Sequence, residues 1–183
     1  MSIELYFLRS SEQKIVTDMV YYSQRVDETD KRVSDFENLN IYSDFYGLTA
    51  KDLGLYAMKE HQMCGAIWTR RLNIEHNSNG FLDEDTPVLN IAVKPEFRNS
   101  GIATTMIDQF LIEAGALYSA ISVNVSNKQE SITFFKKFGF EVVADEKRET
   151  YAQNEDALIM VKKLDKKEIV RPTDGYDPTR WMD

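Results

Sequence analysis

The sequence predicts a mixed α/β fold, and three observations support this prediction. The apolar run Val88 to Val93 is followed by a polar loop and then by apolar residues at helical spacing, which indicates a strand, a loop and a helix. A second apolar run, Ala120 to Val125, is also followed by an amphipathic segment. The 183 residues are 43% hydrophobic and 11% aromatic, which is typical of one compact domain.

The N-terminal quarter predicts a short strand at Leu5 to Leu8 and a helix capped by Ser10 or Ser11. The expected buried stripe of this helix comprises Ile15, Met19, Val20 and Tyr22. The segment Phe36 to Tyr46 reads as a second helical or irregular piece. It contains an aromatic cluster (Tyr42, Phe45 and Tyr46) that fits either the core or a site for an apolar or cationic group.

The middle of the chain predicts an antiparallel hairpin. Leu55 to Met58 and Met63 to Leu72 are its strands, with a turn at 59–62 and a bulge at Gly65. The polar segment Asn73 to Asp85 is expected to be a surface loop.

After the second apolar run, the sequence predicts a strand from Phe140 to Val143, a charged loop or hairpin from Asp145 to Asp156, and a last strand from Leu158 to Leu164. We therefore expect one domain over residues 1–164. Residues 165–183 form a tail that is either extended or docked through its aromatic residues, which could also pair two subunits into a homodimer.

Charge and composition exclude several classes of function. The net charge of −8 disfavours nucleic acid and anionic membranes and mildly favours cationic partners such as amines or basic peptides, although such a charge can also serve solubility alone. There is no apolar run of membrane-spanning length and no signal sequence, so we expect a cytoplasmic protein. One cysteine and two histidines predict no metal site.

The loop at Arg98 to Ala103 has the features of an anion site. A helix start leaves backbone N–H groups without partners, Gly101 permits close approach, and Arg98 adds a positive charge. The loop could equally be an ordinary tight turn, or bind another phosphorylated ligand. It does not match the Walker pattern or the dinucleotide fingerprint.

The pattern V-x-P-x-x-R-x-x-G-x-A resembles the acetyl-CoA loop of the GNAT N-acetyltransferase superfamily, whose core motif is R/Q-x-x-G-x-G/A. Arg98, Gly101 and Ala103 stand in register with it. Further along, Asn127 and F-F-K-K-F-G-F at Phe134 to Phe140 resemble the family's ending, usually N-x-x-A-x-x-L-Y-x-x-x-G-F.

This resemblance implies a GNAT-like fold, with a central mixed, mostly antiparallel twisted sheet of six to seven strands flanked by about four helices. It also implies an acetyl-CoA-dependent N-acetyltransferase acting by direct attack of a primary amine of a small molecule or peptide. The alternative is a regulatory module that binds CoA with little or no catalysis.

By the same resemblance, the cofactor would be held by three segments. They are the strand around Ile91, the loop that begins at Arg98, and the helix after the second apolar run together with Asn127 before it. These residues are Ile91, Ala92, Val93, Arg98, Asn99, Ser100, Gly101, Ile102, Ala103, Thr104, Asn127, Phe134 and Phe135. The backbone N–H of Ile91 or a neighbour would polarise the thioester carbonyl.

The proton acceptor and donor are less defined by the sequence. Glu84 and Asp85 precede the central strand and are candidates for the acceptor, although both could be exposed loop charges. Phe135 stands where many family members have a tyrosine that can protonate the leaving thiolate. Either the thiolate leaves unassisted, or Ser131 or Tyr151 substitutes, or turnover is slow.

Overall fold

A computed structural model describes residues 2–36, 39–48, 51–76, 78, 80–146 and 157–165. In these residues a seven-stranded sheet has the order β1-β2-β3-β4-β5-β7-β6. The strands are β1 (Glu4–Phe7), β2 (Leu53–Lys59), β3 (Gln62–Arg70), β4 (Val88–Val93), β5 (Ala120–Ser126), β6 (Glu141–Glu146) and β7 (Ala157–Lys163). The α-helices are α1 (Gln13–Ser23), α2 (Ile102–Ala114) and α3 (Gln129–Lys137).

The predicted fold class, a mixed and mostly antiparallel sheet, is confirmed. β4 and β5 run parallel, and the other paired strands of the described sheet run antiparallel. The described residues contain three α-helices rather than about four, because the piece before β2 forms a short 3-10 turn, Leu39–Tyr42. Asn40, Ser43 and Asp44 favour turns there, and the Ser43 hydroxyl donates to the Asn40 carbonyl.

The hairpin of β2 and β3 turns at Glu60 and His61, which both adopt positive φ (52° and 65°), as a two-residue hairpin turn requires. Its register shifts between Ala57 and Met58, opposite Gly65 and Met63. The predicted irregularity therefore lies next to Gly65, with Cys64 as the extra residue.

Each face of the sheet covers its own apolar core. On one face, helix α2 buries Met106, Ile107 and Phe110 against the sheet. On the other face, helix α1 buries Val16, Met19 and Val20 beside Trp68. The indole N–H of Trp68 donates to the carbonyl of Tyr42 at 2.7 Å, which joins the N-terminal region to β3.

Some predictions lie outside the described residues, namely the tail beyond residue 165 and most of the charged segment before β7, including Tyr151. Within the described part of the chain, no helix combines the length and apolar character that a bilayer span needs.

The phenol of Tyr118 is buried where the end of α2 meets the hairpin. Its hydroxyl lies 3.0 Å from Thr69 Oγ1 and also donates to the carbonyl of Lys51. Burial is the main cause that raises the pKa of Tyr118 to about 12. An unfolded chain would lose this proton near pH 10, so the unfolded state is favoured as the pH rises from about 10 to 12.

The substitution Tyr118→Phe should therefore flatten the alkaline side of the stability profile. Between pH 9 and 11, we expect the free energy of unfolding to fall by about 1 kcal/mol less in Tyr118→Phe than in the wild type. Urea denaturation at a series of pH values measures this. Parallel profiles for the two proteins would show that Tyr118 ionises equally easily in the folded and unfolded states.

Candidate functional site

The parallel strands β4 and β5 separate in the middle of the sheet. Val88 pairs with Ser122 and Leu89 with Val123, and the two strands, both fully described, form no further pair. β5 instead pairs with β7 along its whole length, and β4 stays paired with β3 as far as Val93. β4 stays with β3 and β5 stays with β7, so a gap opens between β4 and β5 after Leu89.

The gap exposes main-chain groups of β4. On the β3 side, the N–H of Lys94 donates to the carbonyl of Cys64 at 2.9 Å; on the β5 side, the N–H of Ser122 donates to the carbonyl of Pro87 at 3.0 Å. Because successive residues of a strand turn their N–H groups to opposite neighbours, Ile91 and Val93 face the β5 side. Their N–H groups therefore point into the gap, beyond the last pair with β5.

Two clefts meet at this gap. The through-sheet cleft, of about 520 Å³, is lined at one end by the C-terminal end of α1 and at the other by α3. The apolar cleft, of about 320 Å³, opens between β4 and α3. Both are lined by Ile91, Ala92, Val93, Glu130, Ser131 and Phe135. A ligand that enters the apolar cleft can therefore reach the opposite face of the sheet along β4.

The start of α2 lies at the edge of the apolar cleft, which Ala103 lines. Gly101 precedes the helix with φ +80°, and a Cβ placed there would meet no atom within 4 Å. Thr105 supplies the first N–H that bonds back to the Gly101 carbonyl, at 3.0 Å. The N–H groups of residues 102–104 have no carbonyl partner within the helix and lie at the positive end of its dipole, beside the open space over Gly101. Such an arrangement suits an anion.

Arg98 does not point freely into this loop. Its guanidinium donates to Asp27 at 3.0 Å and to the carbonyl of Val93 at 3.0 Å. The Asp27 side chain is only 8% exposed, so this ion pair fastens the loop to the segment after α1. Arg98 still lines the through-sheet cleft, but its charge is partly neutralised there.

The end of α1 brings polar side chains to the through-sheet cleft. Helix α1 ends at Ser23, and two residues later Arg25 has a φ of 58°, which is left-handed and unusual for a residue other than glycine. The turn places Tyr22, Gln24 and Glu28 at the cleft, and Arg25 holds Glu28 at 2.8 Å. Burial is the main cause that raises the pKa of Tyr22, so its hydroxyl keeps its proton at neutral pH.

The structure does not bring Glu84 and Asp85 to either cleft. Both are exposed on the loop before β4, where Asp85 pairs with Arg71 at 2.9 Å. His76 is also exposed, and its ring accepts the N–H of Asn73. The acidic residues that do line the through-sheet cleft are Glu28 and Glu130.

The other predicted site residues divide between the clefts and the surface. Phe134 and Phe135 line the apolar cleft with their rings perpendicular and 5.2 Å apart. Asn99 and Ser100 are exposed in the loop before α2, and Asn127 is exposed and lines neither cleft. Of the aromatic cluster, Tyr42 lines the through-sheet cleft, whereas Tyr46 is buried and Phe45 is 72% exposed.

Sequence reasoning missed two asparagines inside the strands. Asn90 on β4 and Asn124 on β5 both line the through-sheet cleft. The available signal was a polar residue among apolar ones, because Asn90 interrupts an otherwise apolar strand and Asn124 stands between two valines. The described residues contain no group of three or more His, Cys, Asp or Glu side chains that could hold a metal ion.

Comparison with known proteins agrees with this architecture. A family model described as an acetyltransferase (GNAT) domain matches residues 51–142. No curated protein matches the sequence significantly.

Solved structures with low identity share the fold. A GNAT-family acetyltransferase from Streptococcus pneumoniae is 15% identical with a TM-score of 0.64, over 89% of this chain and 99% of that one. The ribosomal-protein-S18-alanine N-acetyltransferase of Escherichia coli is 13% identical with a TM-score of 0.59, over 93% and 99%. The yncA protein of Salmonella typhimurium, solved with its cofactor acetyl-CoA, is 12% identical with a TM-score of 0.63, over 95% and 99%. Since the family model spans half of the sequence, this chain belongs to the GNAT acetyltransferases, a family of acetyl-CoA-dependent enzymes.

Proposed function

We propose that this protein is an acetyl-CoA-dependent N-acetyltransferase that acts on a primary amine of a small molecule or peptide by direct attack. The observation that supports this most is the gap between β4 and β5, where the N–H of Ile91 faces a cleft that crosses the sheet. In this proposal residues 1–164 form the catalytic domain, and residues 165–183 form a tail.

The residues around the gap fit the parts of acetyl-CoA. The open space over Gly101 and the free amides of residues 102–104 suit a diphosphate. Ala103 joins that loop to the apolar cleft, where the rings of Phe134 and Phe135 suit the pantetheine arm. Main-chain groups of Ile91 and Val93 along the gap can hydrogen-bond its amides, as an added strand would.

When bound, acetyl-CoA supplies an acetyl thioester: the amine nitrogen bonds to the acetyl carbon, the C–S bond breaks, and the proton lost by the amine balances the one gained by the thiol. In this proposal the N–H of Ile91, which points into the gap, stabilises negative charge on the carbonyl oxygen during this exchange. A fixed backbone donor of this kind lowers a barrier by about 3 kcal/mol. Holding both reactants in the clefts supplies a further large part of the rate.

We assign the proton acceptor to Glu28 rather than to Glu84 or Asp85. Glu28 lines the through-sheet cleft at the α1 end, opposite the helix that would hold the cofactor. Its two oxygens lie 3.1 and 2.8 Å from the guanidinium of Arg25, which keeps the carboxylate in one place. A lysine-like amine is mostly protonated at pH 7, so it must lose a proton before it can attack.

The variant Glu28→Gln tests this assignment through its pH profile. We expect kcat/KM to fall by about 10- to 100-fold at pH 7, because the proton acceptor is lost, and by less at pH 10, where more of the amine is already neutral. Steady-state thiol release at both pH values measures the effect. Glu130→Gln is the comparison variant. An equal loss in both variants, or a loss independent of pH, would contradict the role of Glu28.

The variant Gly101→Asp tests the diphosphate site. Aspartate tolerates the left-handed φ, so folding should persist, but its charge would lie at the positive end of α2. We expect the Kd for CoA, measured by calorimetry, to rise by about 100-fold. Gly101→Asn has the same shape without the charge and should weaken binding less. Unchanged CoA affinity in both variants would remove the site from this loop.

The second candidate function is CoA binding without efficient catalysis, and Phe135 is the observation that favours it. This ring is 8% exposed at the junction of the two clefts and packs edge-on against Phe140 at 5.4 Å. Phenylalanine cannot protonate a thiolate. Ser131 and Tyr22 also line the through-sheet cleft and carry hydroxyl groups, and a thiol with a pKa near 8.5 leaves without much assistance.

The variant Phe135→Tyr adds a hydroxyl at this junction. We expect kcat to rise, although by less than the roughly 100-fold of a well-placed acid, because the thiol is already a good leaving group. Phe138→Tyr, at a ring that lines neither cleft, is the control. A lower kcat with an unchanged melting temperature would show that the bare ring is needed to shape the site.

A further inference from the structure

The through-sheet cleft has a pair of amide side chains on its α1 face. Side chains alternate along a strand, and Val88 and Ala92 belong to the core on the α1 side, so Asn90 faces that side too. On β5, Val123 and Val125 belong to the opposite core, which places Asn124 on the α1 side. Because Leu89 is paired with Val123, Asn90 and Asn124 are the first residues beyond the last pair, and both line the cleft where the strands separate.

Each asparagine has one amide atom without a partner. Asn90 is 4% exposed, and its Nδ2 has no acceptor within reach. Its Oδ1 accepts a hydrogen bond from Gln24 Nε2 at 3.4 Å, so the amino group is the part of this amide that still lacks a partner. Asn124 has the complementary deficit, because its buried Oδ1 has no donor. Leaving a buried polar atom unpaired is unfavourable, and native proteins contain few such atoms.

The charged groups around this pair are largely paired with one another. Arg25 is paired with Glu28, and Arg98 with Asp27. The asparagine pair itself is neutral and offers one donor and one acceptor. A polycation would need several carboxylates on this face, whereas the acidic side chains lining the cleft are Glu28 and Glu130. The free donor on Asn90 and the free acceptor on Asn124 would both be satisfied by a neutral group that has a carbonyl and an N–H.

Resting on the proposed function, we propose that the acceptor carries a carboxamide or peptide group next to its amine, and that Asn90 and Asn124 recognise this group. The Asn90 amino group donates to the carbonyl of the ligand, and Asn124 Oδ1 accepts from its N–H. Both are specificity-determining residues. The matching ligands are amino-acid amides and the N-terminal residues of peptides, and polyamines are not.

A series of four amines tests this with the whole 183-residue chain saturated with CoA. Alaninamide has both the carbonyl and the N–H, alanine methyl ester has only the carbonyl, isopropylamine has neither, and spermidine is a polycation. We expect calorimetry to show alaninamide binding about tenfold more tightly than the ester, and the ester more tightly than isopropylamine and spermidine. Isopropylamine or spermidine binding as tightly as alaninamide would overturn the proposal.

The variants Asn124→Leu and Asn90→Leu assign the two hydrogen bonds. Asn124→Leu should remove the preference for the amide over the ester, and Asn90→Leu should weaken both ligands. Asn40→Leu, at an exposed asparagine outside the cleft, should leave the ranking unchanged. An amide preference that survives Asn124→Leu would refute the role of Asn124. The ranking in the wild type tests the proposal even if a variant fails to fold.

Thiol release from acetyl-CoA with the same four amines separates this inference from the proposed function. Preferential binding of alaninamide without thiol release would refute the enzymatic function and support the recognition. Thiol release that is fastest with spermidine or isopropylamine would refute the recognition and support the enzymatic function.

Discussion

The separation of β4 from β5 is the constraint on which the site depends. A strand can keep two neighbours only while both follow its twist. Here β5 is held by seven register pairs to β7, and β4 by six to β3, against two pairs between β4 and β5. The parallel contact therefore gives way after Leu89. Its loss leaves polar main-chain groups unpaired inside a sheet, which a ligand can satisfy.

The two faces of the sheet present different chemical groups around this gap. On the α2 side, the amides at the helix start and the apolar cleft suit a long anionic cofactor. On the α1 side, amide and carboxylate side chains line the through-sheet cleft. The ion pair of Arg98 with Asp27 links the two sides, since it joins the loop before α2 to the segment after α1. Although the whole chain has a net charge of −8, the lining of the through-sheet cleft is not predominantly acidic.

Local patterns predicted the fold well because apolar periodicity and turn residues act over short distances. The strand, loop and helix around Gly101 and the hairpin turned by Glu60 and His61 are examples. The family resemblance implied about four helices, and the described residues contain three, because the segment before β2, which the sequence predicted to be helical or irregular, forms a 3-10 turn where Asn40, Ser43 and Asp44 favour turns.

The site was only partly predictable, because it depends on contacts between distant segments. The main-chain part could be inferred from residues 98–104 and the strand before them. The placement of Arg98 against Asp27 could not, because 71 residues separate them. The same holds for Gln24 and Asn90, which are 66 residues apart. Proximity to the central strand in sequence made Glu84 and Asp85 candidates, but the loop turns both toward solvent.

The most direct test of the site is a crystal structure of the protein with CoA. We predict that the diphosphate oxygens lie within hydrogen-bonding distance of the N–H groups of residues 102–104, with the pantetheine arm between β4 and β5 beside Ile91. A CoA molecule bound elsewhere, with the gap filled by protein side chains, would contradict the role that we give to the separated strands.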